Sequence, residues 1–121
     1  MPDQGAKAID ADELAAVGSL VQQLNLVLTE LLSASRATAV PGKLMQIANE
    51  MSAIQTLINQ AAQAQAAAND AVFSSATTSL KTQAQMLQGV EAHIAGIITD
   101  ANAVGRITGY VVEALTQIAK L

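Results

Sequence analysis

From Leu14 the large apolar residues return at alternating intervals of three and four: Leu14, Val17, Val21, Leu24, Leu28 and Leu31. That is the a/d rhythm of a helix that buries one stripe. Leu20, Leu26, Val27 and Leu32 widen the stripe beyond a two-stranded seam, so this helix is expected to pack against more than one neighbour. Asp10 or Asp12 stands where an N-cap belongs, and Glu13 favours the positive end of a helix. The pattern predicts a helix over residues 11–36, preceded by a flexible leader at residues 1–9.

The stretch "SASRATAVPGK" interrupts this rhythm. Pro41 has no amide proton and disfavours helix at Val40, and Gly42 supports a turn. It is the only proline after residue 2. A turn is therefore expected over residues 37–43, centred on Val40 to Gly42, and with it an antiparallel helical hairpin.

Periodicity resumes with Leu44, Ile47, Met51, Ile54, Ile58, Ala61, Ala68 and Val72. A second register runs through Phe73, Ala76, Leu80, Leu87, Val90, Ile94, Ile97, Ala101, Val104, Val111, Leu115 and Ile118. No proline interrupts residues 43–121, so this region is expected as one very long helix or as two to three long helices. Breaks are expected near residues 70–74, where Asn69 or Asp70 could end one helix and Ser74 or Ser75 cap the next, and near residues 88–105. Gly89, Gly96, Gly105 and Gly109 each weaken a helix by about 1 kcal/mol against Ala without forcing a break. The fold class is all-α: a hairpin or bundle of long helices, with residues 10–121 as one domain and a compact four-helix bundle as its plainest form.

Composition changes the picture in one respect. Of 121 residues 51% are hydrophobic but only 2% aromatic, so the core must be built of Ala, Leu, Ile and Val. Charged residues are 13%, about half the usual quarter of a globular domain. A monomer ordinarily covers about a quarter to a third of its surface with charge, and this chain cannot. The extreme case is "NQAAQAQAAAND", residues 59 to 70, with no charge before its last residue and no large apolar side chain. Small side chains let helix backbones approach closely. Ala61, Ala64, Ala67 and Ala68 are therefore the candidate interface between copies, and self-assembly is the expectation. The plainer alternative is an ordinary bundle, monomeric or dimeric, whose Ala and Gln are simply good helix formers.

Candidate chemistry is sparse. A net charge of −4 provides no basic patch for nucleic acid. The chain has no Cys, so disulfides and thiolate metal sites are excluded. His93 is the only histidine; Glu91 lies on another side of the helix, and Asp100 is no better partner. No second His or paired carboxylates offer metal-ligand spacing. "GVEAHIAG" lacks the spacing of a phosphate loop, and Ser74, Ser75 and Ser79 have no base nearby. Tyr110 reads as a packing residue. No cofactor and no enzymatic activity are expected.

The segment "PGKLMQIANEMSAIQTLINQAAQAQAAANDAVFSSATTSLKTQAQML", residues 41 to 87, resembles the R-body structural proteins of bacteria. The likeness rests on Pro41, the run Asn59 to Gln65, and Ala76-Thr77-Thr78. The Leu-rich helix before the proline and the periodic residues 90 to 121 depart from that pattern. The resemblance implies a polymer subunit of coiled, pH-responsive protein ribbons used by some bacteria against eukaryotic cells. Two other readings compete: a secretion-associated filament or translocator component with helical partner proteins, and a granule-coat protein like the phasins, held at a lipid or polyester surface by the Leu-rich helix. No stretch reads as a secretory signal or a transmembrane helix; the longest uncharged run, Met51 to Asn69, carries too much Gln and Asn to insert cheaply. A cytoplasmic location is expected, with secretion by a route lacking a cleaved signal left open.

Overall fold

The computed structural model describes residues 9–121. The expected leader falls on residues 1–8, outside the described residues, apart from Ile9, which packs against the core. Among the described residues four helices follow one another: α1 (Ala11–Ala37), α2 (Pro41–Gln65), α3 (Asp70–Ile97) and α4 (Ala101–Ala119). No strand occurs among the described residues. The fold is all-α, as the periodicity predicts.

Each helix end has a local cause. Asp10 caps α1, its Oδ1 accepting from the amides of Asp12 at 2.8 Å and Glu13 at 3.1 Å. The first break is narrower than the expected 37–43 turn: only residues 38–40 leave the helix, where the Thr38 hydroxyl donates to the Ala34 carbonyl at 2.7 Å. Pro41 opens α2 instead of sitting in the turn, because the first helical position needs no amide donor and suits the fixed φ of proline. Gly42 is likewise inside the helix.

The second break covers residues 66–69, just before the expected 70–74. Asn69 caps α3, accepting from the Val72 amide at 2.9 Å, whereas Ser74 and Ser75 lie inside that helix. The third break, residues 98–100, falls within the expected 88–105 but at none of its glycines. Asp100 makes it, capping α4 through the amides of Asn102 and Ala103 at 2.9 and 3.4 Å. Residues 43–121 thus form three helices, not one continuous rod. Asn69→Ala should cost about 1 kcal/mol in chemical denaturation by removing a cap. An unchanged midpoint would mean that the tight connection alone starts α3.

Such short connections make sequence neighbours antiparallel. α1 packs on α2 and α4, and α3 packs on α2 and α4, with no contact across either diagonal. This is an up-down-up-down four-helix bundle with one core. From α1 the core takes Val17, Leu20, Leu24, Val27 and Leu31; from α2, Ile47, Ile54, Leu57, Ala61 and Ala64. Phe73, Leu80, Leu87, Val90, Ile94 and Ile97 enter from α3, and Ala103, Ile107, Val111, Ala114 and Ile118 from α4.

Of the nineteen expected core residues, eleven are buried in the cluster and eight lie at its margin or outside it. Val21, Leu28, Met51, Ile58, Val104 and Leu115 are only partly buried, packed on the core from its edge. Leu44 is half-buried outside the cluster, and Leu14 is exposed at 39%. The cause in α1 is a rotation of the stripe. Val17, Leu24 and Leu31 are common to the expected and the observed registers. Leu20 and Val27 turn inward beside them, which leaves Leu14, Val21 and Leu28 on the flank.

Candidate assembly surface

The expectation that residues 59–70 form an interface between copies is corrected at its centre. Ala61 and Ala64 are fully buried inside the bundle, so their small side chains serve the packing of α2 within one chain. They stand at the end of the bundle where Phe73, the bulkiest of the buried side chains, enters from α3. Ala67 is partly buried against the core, and only Ala68 is exposed. A charge-poor surface persists elsewhere, and its location is a property of the fold.

Antiparallel packing gathers the uncharged stretches in one half of the bundle. Residues 14–29 of α1, 51–65 of α2 and 71–80 of α3 carry no charged side chain. A Cβ placed on Gly18 would lie 3.7 Å from Gln65 Nε2, which sets the first half of α1 beside the end of α2. Arg106 bonds Glu30 at 3.1 Å, so α4 starts beside the last turns of α1 and ends beside its first. Over residues 107–119, α4 adds a single charge, Glu113, which accepts from Gln117 Nε2 at 2.8 Å. Around this half the outer surface is Ala, Gln, Ser, Thr and Asn, with Leu14, Leu26, Val72 and Val112 among the exposed apolar residues. Charge returns only at the tip, with Asp10, Asp12 and Glu13 at the start of α1, Asp70 at that of α3, and Lys120 after α4.

Thr77 and Gln117 are buried polar residues, and Glu50 and Gln83, both partly buried, also intrude on the apolar stripes; the sequence pattern missed Glu50 and Gln83. Glu50 is seven residues before Leu57 and fourteen before Ala64, so it shares their inward register. Its carboxylate lies 4.0 Å from His93 Nδ1, with side-chain exposures of 16% for Glu50 and 70% for His93. Desolvation raises the Glu50 carboxyl above its ordinary range, and the attraction of His93 opposes this in part. Gln83 shares the register of Ala76, Val90 and Ile97, and its Oε1 is buried without a hydrogen-bond partner. A gap of one step in a seven-residue rhythm was the available signal for each.

The Glu50 shift fixes the sign of a pH effect. A carboxyl whose folded pKa is raised binds its proton more tightly in the native state than in the unfolded chain. Its contribution to stability therefore falls as pH rises from the ordinary glutamate range through the raised value. Glu50→Gln should melt above wild type at pH 7, with the gap closing below about pH 4.5. A constant gap across that range would locate the effect in packing instead of ionisation.

No group of three or more potential metal ligands occurs among the described residues. His93 and Glu50, with Gln46, Asn49 and Gly96, line a shallow groove between α2 and α3 that holds no nucleophile. Ser74 and Ser75 are exposed on α3, Asp100 is engaged as a cap, and Tyr110 packs against the core. α1, not the uncharged run Met51 to Asn69, is the one helix among the described residues that is long and apolar enough to cross a membrane. Its leucines are divided between the core and the flank. Compared with protein-family models, curated proteins and solved structures, the chain matches none.

Proposed function

We propose that this four-helix bundle is a non-enzymatic, self-assembling structural subunit of a bacterial protein polymer, a ribbon of the R-body kind. The observation that carries this reading is the charge-poor half of the bundle, where Glu113 is the one charged side chain short of the tip. Its solvent-facing side chains carry too little charge to keep helical monomers apart, and large apolar residues are exposed among them. The resemblance of residues 41–87 to R-body proteins points the same way, and the location that goes with it is the bacterial cytoplasm before release.

The test is the mass of the purified chain by light scattering at neutral pH, followed by electron microscopy of the largest species. Ribbons or filaments support the proposal, and a monomer at every concentration sinks it. A granule-coat role is the second reading, because α1 is apolar along its length and carries Leu14, Leu26 and Leu32 on its exposed side. Flotation of a monomeric protein with lipid vesicles would favour that role over a polymer.

A further inference from the structure

We infer that the outer edge of the α1–α2 pair is the seat of a second copy of this chain, packed with its α1 antiparallel to the first. This rests on the assembly reading above and names the surface that it would use. Leu14 and Leu32 are each 39% exposed. They stand 18 residues apart, which at about 3.6 residues per turn is a whole number of turns, so both lie on one line along the helix. Val21, Asn25 and Leu28 fall close to that line, and Val21 and Leu28 are half-buried. Across the groove, the seven-residue row Leu44, Met51, Ile58 and Gln65 of α2 runs alongside, as the nearness of Gln65 to Gly18 shows. The result is an apolar strip with no charged residue between positions 14 and 29 on α1 or between 51 and 65 on α2.

Charge selects the occupant and its direction. Pairing Leu14 with Leu32 of a second copy brings Asp10 opposite Arg36, because both pairs share the same midpoint along α1. Asp10, Asp12 and Glu13 make the start of α1 acidic, and Arg36 in its last turn is exposed and without an ion-pair partner among the described residues. An antiparallel contact therefore joins opposite charges and opposed helix dipoles at both ends, whereas a parallel one would stack three carboxylates against their copies. The strip is also large enough. A 27-residue helix is about 40 Å long, and with its neighbour presents a face on the order of 800 Å², the share each partner gives to a standard interface.

The chain has no cysteine, so single cysteines report this contact cleanly. Leu14→Cys and Leu32→Cys are prepared separately, mixed and oxidised, alongside the mass of wild type and of a Leu14→Glu/Leu32→Glu double variant by light scattering. The expected result is a disulfide dimer in the mixture and none in either variant alone. The double variant should keep its helical circular dichroism and fall to half the wild-type mass or less. A Leu14→Cys protein that cross-links to itself overturns the antiparallel arrangement. If wild type assembles and the double variant keeps its mass with no mixed cross-link, this surface is wrong while the assembly reading stands. A wild type that is monomeric throughout overturns both. If that monomer floats with phosphatidylcholine vesicles and the double variant does not, the strip is a lipid-facing surface and the inference fails.

Discussion

Ala64→Glu is expected to unfold the bundle, not merely to disperse an assembly. Ala64 has no exposed surface, so a glutamate there must either bury its carboxylate or prise α2 from its neighbours. Arg106, paired with Glu30, lies in the opposite half of the bundle, and Lys120 at the near tip is exposed, so neither offers a buried partner. A buried, unpaired charge costs several kcal/mol, and the added side-chain volume strains a close contact as well. A domain this size has only about 5–15 kcal/mol in hand. The thermal midpoint by circular dichroism should drop steeply, or the helical signal should be lost at room temperature. Ala68→Glu, four residues along on the exposed side of the α2–α3 connection, should melt within a few degrees of wild type. A folded Ala64→Glu protein with the wild-type midpoint and a reduced mass would restore Ala64 to an interface between copies.

That contrast shows where the sequence could and could not be read. The helices were legible because apolar spacing is a property of the chain alone, and α1 differs from its expected span by a single residue at its end. Rotation of a helix about its axis was less so. In α1 the central line Val17, Leu24, Leu31 has apolar residues on both flanks, and only the positions of α2 and α4 decide that Leu20 and Val27 turn inward while Val21 and Leu28 form the margin. The same ambiguity separated Ile58, at the margin of α2, from the fully buried Leu57. Helix ends depended on hydrogen-bonding side chains more than on weak helix formers. Asp100 ends the α3–α4 connection, whereas Gly89, Gly96, Gly105 and Gly109 are all helical.

The candidate surface had a different fate. Small, uncharged residues signal close packing but not with whom, because an alanine seam inside a bundle and one between copies have the same composition. At Ala61 and Ala64 the partner is the chain itself. What survives is the shortage of charge, which the up-down-up-down topology collects into a continuous zone from stretches far apart in sequence. Linear reading sees separate neutral runs. Only their antiparallel stacking makes a surface of them.

Leu24→Ala and Ile54→Ala should each lower unfolding stability by about 2–5 kcal/mol, while Leu14→Ala should lower it by less than about 1 kcal/mol. Leu24 and Ile54 are fully enclosed, one on each of two neighbouring helices in the single core. Truncating either removes dispersion contacts and leaves a void that close-packed neighbours fill only in part. Leu14 belongs to the same apparent stripe of the sequence but is exposed, so its truncation leaves no enclosed cavity. The comparison is therefore a direct measurement of how α1 is rotated. Urea denaturation at a protein concentration low enough to keep the chain monomeric isolates that effect from assembly, since association would otherwise add its own stability. Equal losses at Leu14 and Leu24 would turn α1 back toward the Leu14–Leu28 register, bury the strip on which the contact between copies depends, and remove the surface along with it.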